Sequence, residues 1–491
     1  MPQTNTASLL AEHPWAGKTF SGEWTVPTGG RQSVIEPATG DVLTEVGMAN
    51  AADISIACRS ASDAQAAWAA TDPREKSRIF LAAAAAIEAD KDALARYIAR
   101  ETGGILPKAE HEVREAVFIL QRAAAMAIDS QGLVLPSGPG RLSYARRVPH
   151  GVVGVISPFN FPLILSIRAV APALAAGNAV VLKPDPRTPV TGGFITALAL
   201  QRAGLPAGVL HVLPGAGDAG EALCTDRHVK MIAFTGSTAI GRRVGELAGK
   251  HLKKVALELG GKNALIVLEN ADLDLAASNA AWGAWLHQGQ ICMASGKILA
   301  HASIAKALTE KLAEKARHLP VGNPANGNVA LGPLINAQQC QRVAGIVADS
   351  VAAGATLEAG GTADGAFYAP TVLSGVTRQM RAFREEFFGP VASVIAFDTD
   401  DEAVELANDT EYGLSAAVIS RDVGRAMAIG DRLNTGLLHI NDQTVADDCV
   451  NPFGGCGDSG NGGSVGGPAD RDEFSHWQWV TVKREPLPTP F

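Results

Sequence analysis

The chain has 491 residues, 47% of them hydrophobic, which is more apolar material than one ordinary core holds and enough for two or three domains. A formal charge of −8 without a basic block argues against nucleic acid or an anionic membrane surface as the main partner and fits a soluble acidic enzyme. Six scattered cysteines show neither CxxC nor Cys/His ligand spacing, so no metal site and no disulfide framework is expected, and reduced thiols in the cytoplasm are the economical reading.

Met1 to Leu10 lacks a basic region followed by an apolar core, which reads against a secretory signal. Asp72-Pro73-Arg74-Glu75 combines an N-cap, a first-turn proline and a capping-box glutamate. It opens an alanine-rich helix predicted to run toward Ala99 and stop near Gly103-Gly104. From Gly151 short apolar strands alternate with helix-length segments: Val152–Ile156, Ala179–Leu182, Val209–Leu213, Met231–Phe234 and Val255–Leu257, then Ala264–Leu268. Such alternation implies a parallel sheet with right-handed crossovers. The most apolar run, Gly151 to Ile167, is broken by Ser157, Pro158, Asn160 and Pro162, so it is a buried strand and loop rather than a membrane span. A second α/β series follows Cys292, with Ile298–Ala300, Val391–Ala396, Ala416–Ile419 and the helix Ile304 to Ala316. Ser143–Val148 and Trp477–Val482 alternate as strands but belong to neither series.

Two glycine patterns compete for a phosphate-binding role. Gly215-Ala216-Gly217-Asp218-Ala219-Gly220 matches GxGxxG after a strand, yet no acidic residue ends the next strand to hold a ribose. Thr235-Gly236-Ser237-Thr238-Ala239-Ile240-Gly241 also joins strand to helix and offers hydroxyls and backbone N–H groups to an anion.

Four segments carry a family resemblance: Ser157-Pro158-Phe159-Asn160-Phe161-Pro162, Leu257-Glu258-Leu259-Gly260-Gly261-Lys262-Asn263, Gly289-Gln290-Ile291-Cys292, and Glu385-Glu386-Phe387-Phe388-Gly389-Pro390. In this order they resemble the aldehyde dehydrogenase superfamily, from about residue 20 to about residue 485. The resemblance implies an α/β fold with a Rossmann-like parallel-sheet cofactor domain (1–136 and 151–258) and a second α/β catalytic domain (259–446). It further implies a small oligomerisation sheet from 137–150 and 468–491, with 447–467 as a Gly-rich loop on the substrate side. Cys292 is the implied nucleophile and Glu258 the implied base that activates water against a thioester. Asn160, with the Cys292 backbone N–H, is the implied oxyanion donor. NAD or NADP is the implied cofactor, held by Ile156, Pro158, Lys183, Gly236, Ser237, Gly241, Leu259, Glu386 and Phe388.

Two positions depart from the family pattern. Pro186 stands where NAD-preferring members often carry a glutamate, and Arg187 lies beside it, which leaves NADP+ open although NAD+ is somewhat favoured. Ile167-Arg168-Ala169 stands where many relatives have an aromatic residue followed by lysine, so Arg168 either takes over part of that polar network or lines the substrate funnel. His287-Gln288-Gly289-Gln290-Ile291-Cys292-Met293, Asn441-Asp442-Gln443-Thr444 and the stretch from Pro452 to Gly463 look like bacterial benzaldehyde and vanillin dehydrogenases. Phe161, His287, Ile291 and Met293 are the expected pocket for an aromatic aldehyde, in a homodimer or homotetramer. The alternatives are an aliphatic or semialdehyde dehydrogenase and an inactive crystallin-like protein of the same fold.

Overall fold

The computed structural model describes residues 8–11, 13–486 and 488–491, so most of Met1 to Leu10 lies outside the described residues. Helices Ala51–Ala70, Pro73–Ala89, Lys91–Thr102 and Leu106–Ile128 make the amino-terminal third. The single helix expected from Asp72 toward Ala99 is two helices. Asp90 leaves the helical conformation because its carboxylate is drawn away to accept from the Leu9 N–H (2.6 Å) and the Ser8 hydroxyl (2.7 Å). Asp72 does cap the Arg74 N–H at 2.8 Å, but Glu75 pairs with Arg78 at 2.6 Å instead of closing a capping box.

The first sheet begins at its centre with Val152–Ile156 and grows through Ala179–Lys183 to Leu210–Val212. The chain then crosses back to Val229–Thr235 on the other side and ends at Lys254–Glu258, all five strands being parallel. That reversal opens a crevice at the carboxyl ends of the strands, the place where open parallel sheets bind ligands. Register puts Ile156 beside both Lys183 and Phe234, and Thr235 beside Glu258, so these residues share the crevice edge. Thr19–Ser21 and Trp24–Thr25 extend the sheet antiparallel; both are too short to show an alternation in sequence.

The second sheet runs Thr356–Ala359, Thr371–Ser374, Val391–Phe397, Lys297–His301, Ala264–Val267, Ser415–Ile419, Leu437–Ile440. Only its Thr356–Ala359 edge is antiparallel. Ala264–Val267 lies inside this sheet, between Lys297–His301 and Ser415–Ile419, although in sequence it continues the first series. An apolar run buried on both faces reads the same in either sheet, and the choice is made by its distant partners. A third sheet pairs Ser475–Lys483 antiparallel with Arg141–Pro149, in register from Ser475↔Pro149 to Lys483↔Arg141, and Gly132–Val134 completes it. Leu133, Leu142, Trp477, Trp479 and Val482 are exposed on it. No helix among the described residues is long and apolar enough to cross a membrane.

Candidate active site

After helix Leu273–Trp285 the backbone passes through three successive left-handed residues, His287 (φ 48°), Gln288 (φ 56°) and Gly289 (φ 67°). For residues with a Cβ this conformation costs roughly 1–2 kcal/mol each. Tertiary contacts hold it, since the Gln288 side-chain amide donates to the carbonyls of Gly103 and Pro333, both at 2.8 Å. At Gly289 a side chain is excluded: a Cβ there would lie 2.2 Å from the Gly389 carbonyl oxygen. The turn delivers Cys292 half-buried. Its carbonyl accepts from Asn263 Nδ2 at 2.8 Å, and the same amide donates to Ala294 (2.9 Å) and accepts from the Ser415 N–H (3.0 Å). Asn263 thus ties the turn to the second sheet, a role legible in sequence only as the end of the Gly-Gly-Lys-Asn segment.

Asn160 follows the central strand of the first sheet and is buried against this turn, donating from Nδ2 to the Gln290 carbonyl at 2.8 Å. Its second amide N–H is left for another acceptor. The Asn160 carbonyl accepts from Lys108 Nζ at 2.7 Å. Lys108 forms a fully buried ion pair with Glu112, whose other oxygen accepts from the N–H groups of Leu163 (3.1 Å) and Ile164 (3.4 Å) at the start of helix Pro162–Ala175. The sequence reading missed this pair, which reaches Asn160 from a helix fifty residues upstream.

Glu258 ends the edge strand of the first sheet, buried, and its Oε2 has no hydrogen-bond partner among the described residues. It shares a small cavity with Cys292. The walls are Val155, Leu165, Ala169, Phe453 and Val465, with Arg168 as the charged member. Burial holds the Glu258 carboxyl well above the ordinary range; Arg168 opposes this, while Glu473 and Asp447 reinforce it. Burial also pushes the Cys292 thiol up, with Glu386 and Glu258 adding to the effect. The four residues expected to form the pocket do not wall this cavity. Phe161 meets His287 edge-on at 5.2 Å with Lys108 Nζ 4.4 Å from its ring, and His287, Ile291 and Met293 are buried.

The strand-to-helix turn at Gly236 and Ser237 follows Thr235, which lines the cavity of Cys292. Ser237 precedes helix Thr238–Lys250 in an extended conformation and its side chain caps no N–H, so the first-turn N–H groups are available to an anion. Gly236 and Gly241 are packed too closely for a side chain, since a Cβ would meet the Phe234 ring at 2.6 Å or Leu259 at 2.3 Å. Gly215 instead packs against Ala49, whose carbonyl oxygen would lie 2.8 Å from a Cβ, and the helix that follows begins at Gly217. Lys183 closes its strand, buried, its amine pushed below the usual lysine range by desolvation. Glu386 accepts from the Gly261 N–H at 3.2 Å and burial raises its carboxyl to about 7. Phe388 (φ 50°) meets Phe159 edge-on at 5.8 Å. Arg187 is held by Asp185 through two contacts, 2.8 and 2.6 Å, and lies 4.1 Å from the Phe159 ring.

Residues 24–480 match the profile described as "Aldehyde dehydrogenase family". The chain belongs to the aldehyde dehydrogenase family. It is 52% identical over 485 residues to a vanillin dehydrogenase of Amycolatopsis sp., covering 99% of this chain and all of that one. It is 48% identical to the benzaldehyde dehydrogenase [NAD(+)] of Pseudomonas putida, covering 97% and 98% of the two chains. The crystal structure of a salicylaldehyde dehydrogenase from Pseudomonas putida G7, complexed with salicylaldehyde, superposes with a TM-score of 0.93 at 34% identity, over 96% of this chain and 99% of that one.

Membership implies a nicotinamide dinucleotide, and the residues at the crevice fit one. A helix N-terminus left uncapped, two glycines with no room for a Cβ, a buried lysine at one strand end and a half-buried carboxylate beyond it suit a long ligand with a central diphosphate.

Proposed function

We propose that this aldehyde dehydrogenase oxidises an aromatic aldehyde to its carboxylic acid, with Cys292 as nucleophile, Glu258 as base and Asn160 as oxyanion donor. The observation that carries it is the meeting of a thiol and an orphaned carboxylate across one apolar cavity, with a side-chain amide fixed beside the thiol's turn. Burial and the neighbouring carboxylates hold the Cys292 thiol above its ordinary range, so its proton passes to water as the sulfur attacks the carbonyl carbon. Charge growing on the aldehyde oxygen is met by the second N–H of Asn160 and by the Cys292 backbone N–H. Ile156, Pro158, Lys183, Gly236, Ser237, Gly241, Leu259, Glu386 and Phe388 would hold the nicotinamide coenzyme along the crevice, where it would supply the hydride acceptor. Glu258 then takes a proton from the water that cleaves the thioester.

The aromatic assignment is supported by the apolar walls and the Phe453 ring, and by the names of the relatives. NAD+ is the favoured coenzyme and NADP+ the slower one. Arg187 is already engaged by Asp185 and Phe159, and the Asp185 carboxylate is a like charge to a 2′-phosphate. The exposed tryptophans of the third sheet support a homo-oligomer joined through 137–150 and 468–491. Measuring kcat/KM for benzaldehyde, vanillin, succinic semialdehyde and hexanal with both coenzymes tests the assignment. Higher kcat/KM for hexanal or the semialdehyde than for either aryl aldehyde would overturn it.

A further inference from the structure

Arg168 is buried on helix Pro162–Ala175, donates from one terminal nitrogen to Asp447 Oδ2 at 2.7 Å, and lies 5.1 Å from the Phe453 ring. Its Nε and other terminal nitrogen have no hydrogen-bond partner among the described residues, and neither has Oε2 of Glu258 in the wall of the same cavity. Buried donors and acceptors left unpaired are costly, and more so when charged. Two orphaned donors and one orphaned acceptor around a single cavity therefore mark groups that find each other, directly or through water, during turnover.

The charged and titratable groups facing Glu258 come from several elements. Arg168 comes from its helix, Cys292 from the turn, Asp447 from the segment after Leu437–Ile440, and Glu473 from the short helix Ala469–Glu473. Glu473 is itself paired with Lys254, on the strand of Glu258, at 3.3 Å. Among the groups acting on Glu258, Asp447 and Glu473 favour its protonated form and Arg168 favours the carboxylate.

We propose that Arg168 is a positioning residue for deacylation: its free N–H groups hold Glu258, directly or through the attacking water, as an oriented carboxylate, while Asp447 fixes the guanidinium. This rests on the reading of Glu258 as the base. In the assisted step the water oxygen bonds to the thioester carbonyl carbon and its proton passes to Glu258. The C–S bond then breaks, releasing the carboxylic acid and a Cys292 thiolate that recovers the proton from Glu258. No electrons change hands, and nothing beyond water is consumed.

The test uses the full-length enzyme with NAD+ and either benzaldehyde or vanillin, following the pre-steady-state NADH burst and kcat from about pH 6 to 10. Four proteins are compared: wild type, Arg168→Gln, Arg168→Lys and Glu258→Gln. Removing the cation favours the protonated carboxyl, which cannot accept a proton, so the rising limb of kcat must move to higher pH. In Arg168→Gln the burst should persist while the limb moves up by about one unit, giving a roughly tenfold lower kcat at neutral pH that recovers in alkali. Arg168→Lys should return most of the loss. A limb unmoved in Arg168→Gln, with KM raised for vanillin alone, would overturn the proposal in favour of a substrate contact. Loss of the burst, or an equal loss at every pH without rescue by lysine, would overturn it in favour of packing. Glu258→Gln reports separately on the underlying reading: a burst followed by slow turnover at every pH sustains it, and wild-type turnover sinks it whatever Arg168 does.

Discussion

Gly289→Ala is the sharpest probe of how the nucleophile turn is built. A methyl group at Gly289 would lie 2.2 Å from the Gly389 carbonyl oxygen and 2.9 Å from that of Ala284, and both obstacles are backbone. Since unstrained carbon contacts begin near 3.5 Å, the turn must retreat by about 1 Å. A shift of that size in a reacting group costs on the order of a hundredfold in rate, equivalent to about 2.7 kcal/mol of transition-state energy. The left-handed conformation at this position (φ 67°) adds a stability cost of roughly 1–2 kcal/mol for a residue with a Cβ. The same retreat carries the Gln290 carbonyl away from Asn160 Nδ2, now 2.8 Å distant. The NADH burst rate should therefore fall about a hundredfold with a lowered Tm. A burst rate and Tm both within experimental error of wild type would refute the argument that the Gly289–Gly389 approach fixes Cys292.

Cys292→Ala should abolish NADH production while leaving coenzyme affinity, measured by fluorescence titration, nearly unchanged; residual turnover would remove Cys292 from the nucleophile role. Pro186→Glu should raise the NAD+/NADP+ ratio of kcat/KM at least tenfold, because the new carboxylate can accept from ribose hydroxyls and repels a 2′-phosphate, a mismatch of several kcal/mol when desolvated. An unchanged ratio in a folded variant would show that the segment after Lys183 does not face the ribose. Burial raises the Glu386 carboxyl to about 7, so it is mostly protonated at pH 6 and mostly ionised at pH 8. Because the carboxylate is the better acceptor for a ribose hydroxyl, KM for the coenzyme should rise several-fold as pH falls through 7 and level off above it. Glu386→Gln should flatten that dependence, and a variant that keeps the wild-type profile would assign it to another group.

Much of this architecture is written locally. Apolar runs such as Val152–Ile156 and Ala179–Lys183 announce parallel strands because both faces of such a sheet are buried, and that pattern survives any reasonable packing. The segments around Asn160, Glu258, Cys292 and Glu386 are equally legible, since each packs its chemistry into a few consecutive residues whose turns need Gly or Pro at set places. Tertiary structure decided the remainder. Asp90 ends a helix that local propensity would continue, because its carboxylate is recruited by Ser8 and Leu9 from far along the chain. Ala264–Val267 joins the second sheet through partners at Lys297–His301 and Ser415–Ile419 that its own composition does not name. The cavity beside Cys292 is walled by Leu165, Arg168, Phe453 and Val465 rather than by the residues next to the cysteine. In a turn this tight the immediate neighbours are buried to support the backbone, so the surface facing the thiol comes from other elements. Arg168 shows the division most plainly: sequence marks it as a charge out of place, and only the fold sets it between Asp447 and Phe453 in the cavity of Glu258.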